Sequence, residues 1–380
     1  MKCRGRDAIT GERIEVEFNA AIQHVDPILR AEPDDEAWIA PGFVDLQING
    51  FAGADFNSPW TTSRQIDDAV TAVLSTGVTR FFPTVITGAP EEMLGALRNL
   101  AAARESLENG PAMEAFHVEG PHISPEDGPR GAHPARWVRP PDLDEFRRWQ
   151  EAARDHIRLV TLAPEWSGAR RYIEQLARQG VVVSIAHTRP AAWQIDDAVA
   201  AGATLSTHLG NAADVVLPRR DNYIWQQLAE DRLAASFIVD EHHLSDAFLR
   251  VALRAKGIER SVLVTDATMP AMCAPGPYML GGVAVELTED DRVVLRGGTR
   301  LAGSSLRMDR AITNVMKLAG VSLAQAVTMA TINAARVGRI PGRLRGIQPG
   351  ERADLVRFNL NGGRLDVLET YLSGRRVYAA

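Results

Sequence analysis

Phe116-His117-Val118-Glu119-Gly120-Pro121-His122 reads as a strand that stops on a carboxylate. The run 112–118 is largely apolar, and Gly120-Pro121 ends the pairing, which leaves Glu119 at the strand's C-terminal tip. The stretch continues to Gly131-Ala132-His133-Pro134. A carboxylate in such a place is costly unless a cation holds it. Taken alone, a Glu there is ordinarily the start of a surface turn. Comparable strand tips elsewhere in the chain change that reading.

Outward from this strand the chain repeats one unit, an apolar run followed by a helical period. Upstream, 42–48 precedes a helix over 63–75, whose apolar face is Ile66, Ala69, Val70, Val73 and Leu74. Next, 78–86 precedes a helix over 91–107, and the 113–118 strand leads to 143–153. Downstream the pairs are 157–162 with 169–179, 181–186 with 191–200, and 204–207 with 225–229. The last two are 234–239 with 245–255, and 261–264 with 309–319. Continuous apolar strands alternating with amphipathic helices predict an all-parallel sheet covered by helices. Eight such units favour an α/β chain built as a (β/α)8 TIM-type barrel rather than an open doubly wound sheet. No strand is followed by the glycine-rich phosphate fingerprint of a dinucleotide fold.

Two further regions stand outside that rhythm. Between the last strand and its helix, 283–287 and 293–295 are strand-like and separated by Glu289-Asp290-Asp291, which predicts a hairpin insertion near 274–305. At the ends, Arg13-Ile14-Glu15-Val16-Glu17-Phe18 alternates, and Asp354-Leu355-Val356-Arg357-Phe358 and Val377-Tyr378 are strand-like again. Residues 1–40 and 345–380 are therefore expected to pair into one small β-sandwich domain, with the catalytic barrel spanning 41–344.

The 380 residues are 45% hydrophobic and 24% charged with a net charge of −6, an ordinary soluble balance that argues against nucleic-acid binding. Cys3 and Cys273 are the only cysteines, too few for a disulfide framework or a cysteine metal site. The N-terminal MKCRGRDAITGERIEVEF has charge but no apolar core of signal-peptide length, and no apolar run is long enough for a membrane span. A cytoplasmic location is expected. Basic charge is nearly all arginine, since Lys2, Lys256 and Lys317 are the only lysines.

Catalytic residues of such a barrel sit at the C-terminal ends of its strands. Those positions hold Glu119 after strand three, His187 after strand five (VVVSIAH), His208 after strand six (TLSTH) and Asp266 after strand eight (SVLVTD). One such histidine is usually structural. Two histidines and two carboxylates aimed at one mouth point to a metal site, since imidazole and carboxylate are ligands of catalytic zinc. His117, two residues before Glu119, faces the same way and either supports Glu119 or fills the barrel interior.

The segments PGFVDLQING, HVEGPHISPEDGPRGAHP, LAPE, IAHT, THLGNA, VTDAT, LAGSSLRM and GIQPGERADLV follow one another along nearly the whole chain. In that order they closely resemble the N-acetylglucosamine-6-phosphate deacetylases of the amidohydrolase superfamily. The resemblance implies a barrel of the amidohydrolase kind with a small β-sandwich, and hydrolysis of a sugar N-acetyl group to amine and acetate. It makes Glu119, His187 and His208 the metal ligands and Asp266 the catalytic carboxylate, with His133 and His243 contacting substrate. Strand one ends Gln47-Ile48-Asn49, where many amidohydrolases carry His-x-His, and neither Lys256 nor Lys317 is at a strand tip to bridge two metals. One divalent metal per chain is expected, zinc first, with iron, manganese or cobalt as the other candidates. A homodimer acting on a small amino-sugar substrate is expected.

Two departures concern the substrate. Asn211-Ala212, which would hold the sugar phosphate through backbone amides, are kept, and Arg219 and Arg220 stand where the family has its arginine. The Glu-Pro-Gly that usually follows is gone, and Tyr223 and Trp225 are nearby. Glu241 replaces a usual glycine beside His243, where a carboxylate would repel an anionic substrate. The alternatives are an amidohydrolase acting on another N-acyl or cyclic amide, and a barrel that binds a small molecule without catalysis.

Overall fold

The computed structural model describes residues 1–28 and 36–380; part of the predicted 1–40 segment therefore lies outside the described residues. Eight parallel strands form one sheet in strict chain order: β1 Phe43–Ile48, β2 Val78–Ile86, β3 Phe116–Glu119 and β4 Ile157–Leu162. The rest are β5 Val182–Ile185, β6 Ala203–Ser206, β7 Ala234–Phe237 and β8 Ser261–Leu263. β1 and β3 are buried at every residue, and the polar ones among them, Asp45, Gln47, His117 and Glu119, are held by hydrogen bonds inside the barrel.

The sheet closes on itself by side chains and isolated backbone bonds between β8 and β1. Asp266 N donates to Gln47 O at 3.0 Å and Asn49 N to Ala267 O at 2.7 Å. Below them, the buried Asp45 carboxylate accepts from Thr265 Oγ1 at 2.6 Å, from Thr265 N at 3.3 Å and from Gln47 N at 3.1 Å. The closing seam of the barrel thus runs directly beneath Gln47, Asn49 and Asp266.

Eight helices follow the strands: α1 Ser63–Ser75, α2 Pro90–Ser106, α3 Leu143–Ala152 and α4 Ala169–Arg178. Then come α5 Ala192–Ala201, α6 Tyr223–Ala229, α7 Asp246–Lys256 and α8 Met308–Ala319. α1 starts at a capping box in which Thr62 and Gln65 satisfy each other's backbone N–H, and it buries the five apolar residues its period predicts. Asp142, Asn222 and Ser245 cap α3, α6 and α7 through their side chains. Two helices not expected from the sequence, Leu323–Ala330 and Ile332–Val337, come after α8. Asn333 ties the second of them to the base of β8 by donating to the carbonyls of Ile258 and Ser261, at 2.6 and 3.0 Å.

The insertion is larger than a hairpin. Gly276–Leu280 pairs with Val283–Leu287, which pairs with Val293–Leu295, and the three strands share a small core of Leu280, Val285, Leu287, Val293 and Ala302. The two chain ends meet in one seven-stranded sheet, where Leu355–Asn361 lies antiparallel to Trp38–Pro41. Its own core includes Val16, Phe18, Ile22, Ile39, Leu355 and Tyr371.

Asp354, at the start of the C-terminal strands, joins that sheet to the barrel. Its buried carboxylate accepts from Arg80 Nε of β2 at 2.8 Å, Arg343 Nη1 at 2.8 Å and Ser373 N at 2.7 Å. Burial alone would raise its pKa, but Arg343 and Arg80 outweigh that and hold it at about 2. Asp354→Asn leaves two buried guanidinium groups short of their counter-charge and should cost about 3–5 kcal/mol by denaturant unfolding. The stabilisation is complete above the unfolded carboxylate pKa of about 3.9 and is lost as pH falls from there toward about 2. Parent and variant should therefore differ at pH 7 and converge in acid.

Candidate active site

The C-terminal tips of β3, β5, β6 and β8 deliver Glu119, His187, His208 and Asp266 to one point, each less than a tenth exposed. Three of them leave their strands in the left-handed region, with φ of 49° at His187, 33° at His208 and 51° at Asp266. Such backbone is strained for residues with a Cβ and clusters at functional sites. Glu119 has no such strain because Gly120 takes the positive φ of 78° instead. A Cβ on Gly120 would also collide with Thr87 Oγ1.

One oxygen is the focus. Glu119 Oε1 lies 2.9 Å from His208 Nε2 and 3.3 Å from His187 Nε2, and accepts from Gln47 Nε2 at 3.0 Å. Burial pushes the Glu119 carboxyl up, but the hydrogen bonds from His187 and His208 hold it well below the usual range. His187 Nδ1 faces the Pro129 carbonyl at 3.0 Å, so Nε2 of a neutral ring has no proton left for Glu119 and turns a lone pair toward it, and the hydrogen bond that lowers the Glu119 pKa calls for positive charge at this point. His208 Nδ1 is buried without a partner among the described residues. A lone pair set against a carboxylate oxygen is unfavourable with nothing between them, and a cation between them removes the conflict. The donor set fits a divalent metal. Among the described residues, the ligand atoms of Glu119, His133 and His187 lie within 4.8 Å of one another, with His208 on the same Glu119 oxygen.

Asp266 shares this centre. Its Oδ1 accepts from Gln47 Nε2 at 3.0 Å and Asn49 Nδ2 at 2.5 Å. Burial first, and the Glu119 charge second, push its carboxyl up to about 7. With Oδ1 occupied by two amide donors, Oδ2 is the oxygen left to exchange a proton. His133 stacks edge-on against His187 with ring centroids 4.3 Å apart, and its Nδ1 is 2.8 Å from Thr87 Oγ1. Burial lowers its pKa to about 3, so it is neutral.

His117 does not reach Glu119. Its Nε2 is 2.7 Å from Thr161 Oγ1 and its Nδ1 3.4 Å from Thr84 Oγ1, and Thr161 continues to Thr207 and Ser184. It fills the barrel interior as part of a hydroxyl layer under the site, the second of its two expected roles.

Above the centre opens a cavity of about 500 Å³, whose lining includes Asn211, Ala212 and His243. His243 is oriented by Asp240, whose Oδ2 is 2.7 Å from its Nδ1. Arg219 and Arg220 lie outside this lining on the exposed surface; the Arg220 side chain is 91% exposed, with Nε 3.8 Å from Asp221 Oδ1. Glu241 also stays out of the cavity, because Lys317 Nζ binds its carboxylate at 2.6 Å on the surface. The expected repulsion is thereby compensated. Tyr223 is buried with its hydroxyl on Asp214, and Trp225 is half exposed and outside the lining, so neither forms an aromatic platform at the mouth.

Sequence reasoning missed Thr87, Asp45, Asp240 and Arg300. Thr87 lies just past the tip of β2, a position where the barrel rule alone would have raised it. Arg300 had no such signal.

Residues 38–377 match the model of the Amidohydrolase family. N-acetylglucosamine-6-phosphate deacetylase of Bacillus subtilis is 32% identical over 84% of this chain and 80% of its own length. The human protein of that name is 34% identical over 90% and 84%. N-acetylgalactosamine-6-phosphate deacetylase of Escherichia coli O157:H7 is 30% identical over 94% and 91%. Among solved structures, the Mycobacterium smegmatis N-acetyl-D-glucosamine-6-phosphate deacetylase in complex with N-acetyl-D-glucosamine-6-phosphate superposes with a TM-score of 0.88. It is 29% identical, with 97% of this chain and 95% of that one covered.

Proposed function

We propose, for a chain that belongs to the amidohydrolase family and within it to the N-acetylglucosamine-6-phosphate deacetylases, that it removes the N-acetyl group from an amino-sugar 6-phosphate. The products are the free amine and acetate. The observation that carries this reading is the convergence of two imidazoles on one Glu119 oxygen, with Asp266 bound to the same Gln47 amide.

Glu119, His187 and His208 would hold the metal, and their N2O donor set suits zinc. A divalent metal there supplies Lewis acidity that lets water act as a nucleophile near neutral pH. Asp266 takes the proton from the attacking water on Oδ2 and returns it to the departing nitrogen, so acid and base are one residue. Gln47 and Asn49 keep Oδ1 from competing for that proton. His133 donates from its Nε2–H to the acetyl oxygen as negative charge builds there, with Thr87 setting the ring.

A single metal per chain is part of the proposal. The Gln47 and Asn49 amides at the tip of β1 already serve Glu119 and Asp266, and every lysine is engaged elsewhere. Lys2 pairs with Glu15, Lys256 with the Glu230 and Leu233 carbonyls, and Lys317 with Glu241. A cytoplasmic location belongs to the same reading, supported by the two free cysteines. Among the described residues, no helix is long and apolar enough to cross a membrane. A homodimer is supported by Val215 and Val216, 100% and 84% exposed beside the pocket rim.

The test is acetate release from the N-acetylated glucosamine and galactosamine, each with and without a 6-phosphate. Turnover is expected with a phosphorylated sugar. No acetate from any of the four, with the metal shown to be loaded, would sink the proposal.

A further inference from the structure

We infer that Asn49 is a catalytic residue whose side-chain carbonyl accepts the N–H of the scissile amide and holds that nitrogen as it departs, an inference that rests on the deacetylase reading above. Asn49 stands just past the end of β1, is buried, and lines the cavity. Its backbone is fixed on both sides. The N donates to Ala267 O at 2.7 Å, and the carbonyl accepts from Phe56 N at 3.1 Å and from Asn57 Nδ2 at 3.0 Å. The side chain is fixed as well, because Nδ2 donates to Asp266 Oδ1 at 2.5 Å. That bond also decides which end of the amide is which. A carboxylate oxygen accepts, so the nitrogen faces Asp266 and the carbonyl oxygen is the end left over.

Asn49 Oδ1 is buried with no partner among the described residues. An acceptor left so is costly until a donor reaches it. Among the described residues, two others on the lining carry a buried polar atom without a partner, His208 Nδ1 and Asn211 Nδ2. Both are donors, the first because Nε2 of that ring is turned to Glu119 and the metal it would hold, the second as an amide nitrogen. Asn49 Oδ1 is the acceptor of the set. The reacting amide carries one acceptor and one donor. His133 meets its carbonyl oxygen in the mechanism above, which leaves the N–H to be met.

The place suits the chemistry. Asp266 Oδ2 returns the water's proton to the nitrogen, and Asn49 is bonded to the other oxygen of the same carboxylate. A nitrogen within reach of Asp266 Oδ2 is therefore beside Asn49. The water oxygen bonds to the acyl carbon, its proton passes through Asp266 to the nitrogen, and the C–N bond breaks with its electron pair going to the amine. Asn49 neither gives nor takes a proton. With its N–H on Asn49, the nitrogen presents its lone pair to Asp266. Once the second proton arrives, positive charge builds on the nitrogen and its own hydrogen becomes a stronger donor. The bond to Asn49 is thus stronger in the transition state than in the bound substrate, and such a difference raises kcat.

The experiment measures acetate release from N-acetylglucosamine 6-phosphate and from its N-methyl counterpart, a tertiary amide without the N–H. The proteins are the parent, Asn49→Ala, Asn49→Ser and Gln47→Leu, each with its metal content determined. The parent should turn over the secondary amide faster by about ten- to a hundredfold, the worth of a hydrogen bond to a charged group. Both Asn49 variants should reduce that preference by about the same factor, through a larger fall in kcat on the secondary amide than on the tertiary one. They should keep the metal, since Asn49 is not among its ligands. Gln47→Leu removes the other donor to Asp266 Oδ1, at 3.0 Å in the parent, and should slow the two amides alike. Equal hydrolysis of the two amides by the parent overturns the inference, as does an unchanged preference in both Asn49 variants. So does an equal loss of preference in Gln47→Leu, which would mean that Asn49 acts only through Asp266. Acetate from neither amide on the parent is a different result: the deacetylase reading fails, and this inference with it.

Discussion

Asp266→Asn lowers kcat on the phosphorylated sugar by at least about a hundredfold while the chain keeps its metal. The amide is nearly isosteric, and its oxygen can still accept from Gln47 and Asn49, which donate to Oδ1 of the parent at 3.0 and 2.5 Å. What it cannot do is take a proton at the position of Oδ2. The fold should be spared, since the backbone bond from Asp266 N to Gln47 O that closes the barrel does not involve the side chain. Elemental analysis beside steady-state kinetics checks both halves. A variant with near-normal kcat would make Asp266 a structural residue. The parent's pH profile follows from the same group. Burial and Glu119 push its carboxyl up to about 7, and a base must be unprotonated to work. Activity should therefore fall on the acid side, with the limb at about 7 or below, because a bound cation favours the ionised form.

His187→Ala and His208→Ala should each lose metal and turnover together, taking activity to background. Each removes one of the imidazoles aimed at Glu119 Oε1, and three protein ligands are the usual minimum for a catalytic zinc site. His133→Asn is the contrast: its ring is 4.3 Å from that of His187, yet its proposed work is on the acetyl oxygen. That variant should retain the metal and lose kcat by about 10²–10³, the range for an oxyanion donor. Loss of metal in His133→Asn would move that histidine into the ligand set, a place its distances to Glu119 and His187 allow. Two tightly bound metals per chain in the parent would rule out the single-metal reading.

The β/α rhythm between residues 42 and 319 was legible because it is local. A strand buried on both faces is mostly apolar, and a helix lying on it must show one apolar stripe, as α1 does through Ile66, Ala69, Val70, Val73 and Leu74. Once the barrel is granted, the residues at or just past the end of each strand face the mouth. Glu119, His187, His208 and Asp266 were identified from that rule and from motif order, without any knowledge of their contacts.

Only the tertiary structure decided the directions of side chains on the loops. Arg219 and Arg220 follow the 211–212 loop closely in sequence but face solvent, whereas Arg300 reaches the cavity by pairing with Asp127, 173 residues away. Glu241 is turned from the cavity by Lys317, 76 residues further on, and His117 is claimed by Thr161 rather than by its neighbour Glu119. The seam between β8 and β1 likewise depends on Asp45 and Thr265, which are 220 residues apart. The reason is physical. Period and hydrophobicity record which face of an element is buried, a property of neighbours three or four residues apart. Where an exposed loop sends a charged side chain depends on which counter-charge the folded chain brings within about 4 Å, and no local pattern encodes that distance.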